Sequence, residues 1–143
     1  MFQRILVAVD SGPARHSAVR LAGELARLAG SEVRVLHVIA SAATLATVVP
    51  LEDDAEGRAV LDEAVAALGD LDVKADGALV RGLTTQVATT IAESAAEFGA
   101  DLIVLSPHHR GAVEALFTPR VSDAVAHTSR TPVLLAPEDE HLA

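Results

Sequence analysis

The chain of 143 residues contains no cysteine, tryptophan or tyrosine and only three phenylalanines. Without cysteine there can be no disulfide, thiolate catalysis, iron–sulfur cluster or cysteine zinc site, and the composition fits a reducing compartment. With so few aromatic rings, the chain offers no platform on which the bases of a single-stranded nucleic acid could stack. The polar chemistry that remains is that of oxygen, amide, ammonium, imidazole, guanidinium and backbone groups.

Positive charge is scarce as well. Lysine and arginine total 11 residues against 20 aspartates and glutamates, Lys74 is the only lysine, and the net charge is −9 at pH 7. Binding to nucleic acid through counterion release requires clustered lysine and arginine, so this composition argues against a general nucleic-acid surface. The acidity most simply keeps the protein soluble.

Long hydrophobic runs are missing too, although hydrophobic residues make up 50% of the chain. No uncharged apolar run approaches the ~18 to 20 residues that span a bilayer, so we expect a soluble protein that does not enter a membrane. Residues 1–4 lead directly into an apolar segment and leave no room for a signal peptide, so we expect a cytoplasmic location. The length predicts one domain over residues 1–143.

Segments with two different periodicities alternate along the chain. Runs rich in valine, isoleucine and leucine predict strands at residues 4–9, 32–39, about 73–80, 101–105 and 132–136. Four helices are predicted by apolar stripes, namely Ala14, Ala18, Leu21, Leu25 and Leu28; Leu61, Ala64, Val65 and Leu68; Val87, Ile91, Ala95 and Phe98; and Val121, Ala124 and Val125. This alternation predicts an α/β three-layer sandwich, in which a five-stranded parallel sheet lies between the helices.

Residue types at the expected helix ends agree with these limits. Gly30, Gly69 and Gly99 follow the first three stripes, where glycine can end a helix in the left-handed conformation. The acidic residues 52–54 precede the second helix, and negative charge favours a helix N-terminus. Thr84 is the expected N-cap of the third helix.

The segment Ala40–Leu51 carries no charge and is long for a connection between a strand and a helix, which typically has ~2 to 6 residues. Three interpretations are open. The segment could be a lid over a binding site, a surface for a partner, or an extra helical turn packed on the core.

Two polar groups follow predicted strands at positions where ligands bind to open α/β sheets. Asp10 ends the first strand, and the segment Ser106–Gly111 follows the fourth. If these strands are neighbours, Asp10 faces that segment across a crevice. Asp10 is equally suited to capping a local turn, because it precedes the turn-forming residues 11–13.

Short segments in a fixed order and spacing along the chain match a known pattern. They are residues 4–10, Leu36–Val38, Gly99–Leu105, His108, Arg110, Gly111, Val121, Ser122 and Thr131–Leu135. With these segments the chain resembles the universal stress protein family over essentially its whole length. The resemblance implies a Rossmann-like fold, like that of adenine nucleotide alpha hydrolases, with strand order 3-2-1-4-5 and frequent homodimers. It also implies that many members bind ATP or another adenine nucleotide at the strand ends, through the pattern G-x2-G-x9-G-[ST].

The chain departs from that pattern at all four defining positions. Ser106, His109 and Pro119 occupy the glycine positions, and Arg120 occupies the hydroxyl position. Glycine lets the backbone approach a phosphate and adopt positive φ, whereas His109 adds a bulky side chain. Pro107 and Pro119 lack the N–H donor, and each missing charge-assisted hydrogen bond costs about 1.5 to 3 kcal/mol. We therefore expect weak or absent ATP binding and no resident cofactor.

Several residues could still line a nucleotide or anion crevice, because they lie at the strand ends or at the start of the fourth helix. They are Asp10, Val38, Ser106, His108, His109, Arg110, Gly111, Arg120, Val121 and Ser122. Arginine attracts anions, and histidine adds positive charge at low pH. The alternative is that Arg110 and Arg120 are solvated or paired with acidic residues.

Catalytic and metal chemistry are not indicated. Ser106, His108 and Asp10 contain the atoms of a nucleophilic triad, but the chain has no G-x-S-x-G elbow. Adjacent histidines on a loop tend to diverge, so His108 and His109 with Asp10 do not predict a metal site. We expect that the protein is not an enzyme.

Two functional hypotheses of different classes follow. The first is a small regulatory or interaction domain in the stress response that does not bind ATP and contacts an unidentified protein. This domain would form a homodimer through the terminal strand Thr131–Ala136, a short apolar segment that the resemblance places at a sheet edge. The second is a sensor domain that weakly binds a nucleotide or another anion in the strand-end crevice.

Overall fold

Strands and helices alternate along the chain. The computed structural model describes residues 1–43, 45–50, 52–106 and 119–137, and for residues 119 and 120 it describes the backbone. In these residues the strands are β1 (Arg4–Val9), β2 (Glu32–Ala43), β3 (Val48–Pro50), β4 (Ala75–Leu83), β5 (Leu102–Leu105) and β6 (Val133–Leu135). The helices are α1 (Arg15–Ala29), α2 (Asp54–Asp70), α3 (Val87–Phe98) and α4 (Pro119–Thr128), and a 3₁₀ turn, Thr84–Gln86, precedes α3. No helix among the described residues is both long and apolar enough to cross a membrane.

The sheet contains the five predicted strands and one more. β4, β2, β1, β5 and β6 lie side by side in this order and are all parallel, which confirms the expected order 3-2-1-4-5. β3 is the additional strand, and it pairs antiparallel with the end of β2. The expectation of a purely parallel sheet with five strands is therefore wrong in this detail.

The position of β3 follows from the pairing registers. Ser41 of β2 pairs with Leu83 of β4 and also with Pro50 of β3, so β3 and β4 lie on opposite edges of β2. Val33 pairs in the same way with β1 on one edge and β4 on the other. β3 consequently lies on the same edge as β1, beyond the carboxyl end of that strand. In the segment 40–51, for which a helical turn was one expectation, residues 40–43 instead continue β2, and residues 48–50 form β3 and pair with them as a β2–β3 hairpin.

Two apolar layers hold the helices on the sheet, as the three-layer prediction requires. The first layer contains Ile5, Val7, Val9, Ala18, Val19, Ala22, Val33, Val35, Leu61, Leu68, Leu102 and Val104, and it lies between the sheet, α1 and α2. The second contains Leu6, Ala8, Leu36, Val38, Val87, Ile91, Phe98, Ile103, Leu105 and Val125, and it lies under α3 and α4. Because successive side chains of a strand point to opposite faces, β1 supplies residues to both layers.

The buried face of α1 agrees with the predicted stripe at Ala14 and Ala18 and differs from it at Leu28. Ala18 and Ala22 are fully buried, and Val19 is 5% exposed, whereas Leu28 is 87% exposed. Leu21 and Leu25 of the stripe are partly buried and pack against the first apolar layer. The buried positions of α1 carry small side chains and Val19, and small side chains let a helix lie close to the strands.

Helix ends agree with the sequence signals in part. Gly30 and Gly99 end α1 and α3 in the left-handed conformation, with φ of 73° and 76°. Gly69 does not end α2, which continues to Asp70; the left-handed residue is Asp72, since aspartate tolerates positive φ. Thr84 is not the N-cap of α3, because residues 84–86 form the 3₁₀ turn.

At the amino ends of the strands, a cation on β2 joins the sheet to α3. Arg34 pairs across the strands with Asp76 through two hydrogen bonds of 2.8 and 3.0 Å. The guanidinium carbon of Arg34 also lies 4.5 Å from the ring centre of Phe98. The hydrogen bonds to Arg34 hold the pKa of Asp76 below its ordinary value, because they favour the charged carboxylate.

The Arg34–Asp76 pair predicts a pH-dependent contribution to stability. At pH 7, Asp76→Asn should lower the free energy of unfolding by about 0.2 to 1 kcal/mol, the range for a largely exposed pair. Because the folded pKa of Asp76 is lowered, the contribution is complete above the unfolded pKa of about 3.9 and is lost as the pH falls through the folded pKa.

Urea unfolding of the wild type and of Asp76→Asn, at pH 7 and at pH 2.5, measures the difference in their free energies of unfolding. Asp62→Asn is the control, since it removes the same charge from the exposed surface of α2. A difference between wild type and Asp76→Asn that is as large at pH 2.5 as at pH 7 would contradict the assignment.

Candidate functional site

The predicted crevice lies where β1 and β5 end next to each other. The two strands pair in parallel, with Val7 opposite Val104, so Asp10 and Ser106 follow the ends of neighbouring strands. Both side chains are almost completely buried, with exposed fractions of 4% for Asp10 and 5% for Ser106. The expected adjacency of the first and fourth predicted strands is therefore correct.

The carboxylate of Asp10 organises the turn that follows β1. Its Oδ1 accepts a hydrogen bond of 2.8 Å from the backbone N–H of Gly12. Two further N–H groups also donate within the loop, from Arg15 to the Gly12 carbonyl and from His16 to the Pro13 carbonyl, each at 3.2 Å. A helix N-terminus binds anions through free N–H groups, and these donors at the start of α1 are already used.

Two further side chains close the same loop. Ser106 donates a hydrogen bond of 3.1 Å from its hydroxyl to the carbonyl of Ala14, which ties the end of β5 to the start of α1. Arg15 donates from Nη1 to the carbonyls of Ser11 and Gly12, at 2.9 and 3.0 Å. Since the Ser106 hydroxyl donates to a backbone carbonyl, it does not donate to a general base in this conformation.

Val38 can offer only its backbone to a ligand, because its side chain is fully buried in the second apolar layer. Residues 38–40 pair with β4 on one edge of β2. On the other edge, the described strands pair with β2 only up to His37, through β1, and again from Ser41, through β3. At about 3.3 Å per residue, these limits leave a notch of roughly 13 Å in the sheet edge, next to Asp10.

The first turn of α4 contributes the remaining described candidates. Val121 packs against the second apolar layer. Ser122 is 5% exposed, and its hydroxyl has no hydrogen-bond partner among the residues that the structure describes. A buried hydroxyl without a partner costs about 1 to 3 kcal/mol, so a group that accepts or donates a hydrogen bond would be stabilised there.

The other predicted site residues lie outside the described part of the chain. They are His108, His109, Arg110 and Gly111, and the same holds for the side chain of Arg120. Of the four positions that define the nucleotide pattern, the structure describes the side chain only of Ser106. Within the described ranges, no group of three or more histidine, aspartate or glutamate side chains is arranged to hold a metal ion.

Sequence reasoning missed a buried polar pair beside the crevice. His37 of β2 has no exposed surface, and its two ring nitrogens contact the carbonyl of Val9 at 2.9 Å and Oε1 of Glu52 at 2.6 Å. A histidine inside the apolar run of β2 was the available signal, since a buried imidazole requires partners for both nitrogens.

A crevice at the carboxyl ends of two central parallel strands defines the class of Rossmann-like α/β proteins with a strand-end site. A sequence model described as the universal stress protein family matches residues 1–137 of the chain. The protein therefore belongs to the universal stress protein family, as its sequence motifs predict.

Solved structures of the same family share this fold. A member from Burkholderia pseudomallei is 28% identical, with 95% of this chain and 96% of that chain covered and a TM-score of 0.72. A universal stress protein from Archaeoglobus fulgidus is 24% identical, with 95% and 99% covered and a TM-score of 0.73. Another structure from Archaeoglobus fulgidus, in complex with dAMP, is 22% identical, with 94% and 98% covered and a TM-score of 0.70. A comparison with curated protein sequences finds no match.

Proposed function

We propose that residues 1–143 form one universal stress protein domain that acts in the cytoplasm as a regulatory or interaction module, without ATP binding or catalytic turnover. Membership of the family supports a role in the stress response. One observation carries the proposal against ATP. The side chains of Asp10 and Ser106 and the backbone N–H groups of Gly12, Arg15 and His16 already have hydrogen-bond partners within the protein.

Serine in place of glycine at position 106 shows how these internal hydrogen bonds oppose phosphate binding. The nucleotide pattern requires glycine there, whereas Ser106 buries a hydroxyl that bonds to Ala14 at 3.1 Å. A phosphate that entered this space would have to displace the hydroxyl and leave the Ala14 carbonyl without its partner. Breaking such a bond without replacement costs about 1 to 3 kcal/mol, which opposes binding.

The start of α4 supports the same conclusion. The helix begins at Pro119, which has no N–H group, so one of the donors that could cradle a phosphate is absent. His109 and Arg120 add bulk in place of glycine and a small hydroxyl residue. Two or three such losses would convert micromolar binding into millimolar binding, at about 1.4 kcal/mol per tenfold change.

We therefore expect no saturable heat when the protein is titrated with MgATP at micromolar concentrations in a calorimeter. A dissociation constant below about 10 μM, equivalent to roughly 7 kcal/mol of binding free energy, would contradict the proposal.

A restoration experiment tests whether the missing glycines and N–H donors are the cause of weak ATP binding. The combined change Ser106→Gly, His109→Gly, Pro119→Gly and Arg120→Ser should produce measurable ATP binding, because it supplies the complete glycine pattern. The gain should be cooperative, since relief of bulk at position 109 has little effect while Pro119 still withholds a donor. The same variant should lose about 1 to 3 kcal/mol of stability, as it gains flexible glycines and loses the bond from Ser106 to Ala14.

Circular dichroism must first show that this variant is folded, and the four single changes are the controls. If the folded variant ignores ATP at millimolar concentration, the loop is not the main obstacle. The crevice would then be closed elsewhere, and the β2–β3 hairpin beyond β1 would be the first segment to test.

A weak nucleotide or anion sensor is the second candidate. The partnerless buried hydroxyl of Ser122 favours it, as does the notch in β2 beside Asp10. A family member of the same fold has been solved with dAMP. Mass spectrometry of the denatured purified protein separates the candidates, because a co-purified nucleotide would support the sensor and oppose the first proposal.

We also propose that the protein forms a homodimer through the edge of β6. Among the described strands β6 pairs only with β5, so its second edge can add a symmetric partner. Leu135 of β6 is 45% exposed, whereas Leu134 packs against the first apolar layer. Leu135 is therefore the residue to change, since a charge at Leu134 would also disturb the core.

Leu135→Lys should convert the dimer into a monomer, because it places like charges on the two facing strands. Light scattering at tens of micromolar measures the mass in solution. Leu28→Lys on α1, where the leucine is 87% exposed, is the matched control and should remain a dimer. A monomeric wild-type protein at this concentration would reject the proposed interface.

A further inference from the structure

A chain of two hydrogen bonds connects the β2–β3 hairpin with the turn that Asp10 organises. Nδ1 of His37 lies 2.9 Å from the carbonyl oxygen of Val9, and Nε2 lies 2.6 Å from Oε1 of Glu52. The ring is fully buried, and the Glu52 side chain is only 13% exposed. Water therefore cannot easily replace either partner.

The chemistry of the partners determines where the protons lie. The Val9 oxygen can only accept, so Nδ1 of His37 carries a proton and donates it. The short contact between Nε2 and Glu52 requires one further proton between these two atoms. Every polar atom of the imidazole is thus engaged, and the ring orientation is fixed at both ends.

Packing restricts the ring as well. Gly57 of α2 lies over it, and a Cβ at this position would come within 3.1 Å of Cδ2 of His37 and 3.0 Å of Leu79. The ring therefore cannot swing toward α2 without displacing that helix. Glu52 and Val9 are therefore both in contact with a ring that is restricted on the side of α2.

The two hydrogen bonds of His37 lead to different parts of the structure, namely the Asp10 turn and the segment that follows the β2–β3 hairpin. The Val9 carbonyl is half of the peptide unit that begins Asp10, the residue whose carboxylate holds the Gly12 amide. Glu52 follows β3, the strand beyond the carboxyl end of β1. The hairpin is a weakly held element, since β3 has three residues, all exposed, and pairs with β2 over only three positions.

We propose that His37 is a positioning residue and that Val9, His37 and Glu52 form a latch. The latch holds the β2–β3 hairpin against the strand ends and transmits the position of the hairpin to the Asp10 turn. Opening of the latch releases the hairpin, which carries the exposed apolar residues Leu45, Val48 and Val49, and changes the crevice at the same time. The proposal does not depend on whether the crevice binds a nucleotide.

The start of α2 is held independently of the latch. Asp53 caps the helix by accepting a hydrogen bond of 2.7 Å from the Glu56 N–H, and Asp54 forms an ion pair with Arg81 of β4. Removal of the Glu52 carboxylate should therefore free the hairpin while α2 remains in place.

The experiment uses amide hydrogen exchange and ¹H–¹⁵N spectra of the full chain with Glu52→Ala and Glu52→Gln. In Glu52→Ala, hairpin amides at residues 41–43 and 48–49 should exchange at least about tenfold faster, because local opening loses its main opposing contact. The Gly12 amide resonance should shift in the same variant, since it reports the Asp10 turn. Glu52→Gln should give smaller changes, because the amide can still bond to the ring.

Glu56→Ala is the matched control, because it removes an exposed acidic residue from the first turn of α2 without touching His37. It should leave the hairpin exchange and the Gly12 resonance as in the wild type. If Glu52→Ala does not fold, the comparison of Glu52→Gln with Glu56→Gln replaces it, with the same expected direction.

Three results would overturn the latch. The first is an unchanged hairpin exchange rate in the Glu52 variants. The second is an increase by the same factor in the core amides of β1 and β5, which would show a loss of global stability only. The third is faster hairpin exchange with an unmoved Gly12 resonance, which would show that His37 does not transmit the change to Asp10.

Discussion

The central strand β1, in which every residue after Arg4 is buried, is the constraint on which the other features depend. It pairs with β2 and β5 and supplies side chains to both apolar layers, so its residues have almost no freedom to move. The carboxyl end of β1 is therefore held in place, and Asp10 is the first residue after it. The turn at Gly12, the hydroxyl of Ser106 and the ring of His37 are all positioned relative to this end.

The sequence predicts the buried strands and their order well, and it predicts the hairpin poorly. β1 and β5 are continuous apolar runs, which only a strand buried on both faces requires. β3 is three exposed residues whose pairing depends on β2 extending four residues beyond its predicted end at Ile39. No local pattern reports such an extension, because the residues 40–43 are small and suit strand, loop or helix alike. The two helical predictions that were wrong, the N-cap Thr84 and the stop Gly69, likewise depend on backbone conformations that the residue type does not fix.

The sequence predicts where the residues of the site lie in the fold, but it does not predict which groups their side chains contact. The strand-end rule is sufficient to bring Asp10 and Ser106 together, because parallel neighbours end at the same side of a sheet. Which group each side chain contacts depends on the relative positions of elements far apart in sequence, and shifts of a few tenths of an ångström decide it. The bond from Ser106 to Ala14 joins residues 92 positions apart, and the pair of His37 with Glu52 requires the unexpected return of the hairpin.

Polar groups at the end of a buried sheet must find partners, and this requirement connects the lost glycines with the internal hydrogen bonds. In a nucleotide site, backbone N–H groups stay available because glycine leaves space for the phosphate that will satisfy them. Here the N–H groups of Gly12, Arg15 and His16 have protein acceptors, and Ser106 occupies one glycine position with a side chain that is itself satisfied. A crevice without a ligand is more stable when its buried polar groups have such partners in the protein, since each unpaired buried group costs about 1 to 3 kcal/mol. Among the buried side chains that the structure describes, Ser122 is the exception, and an added hydrogen-bonding group would be stabilised at its hydroxyl.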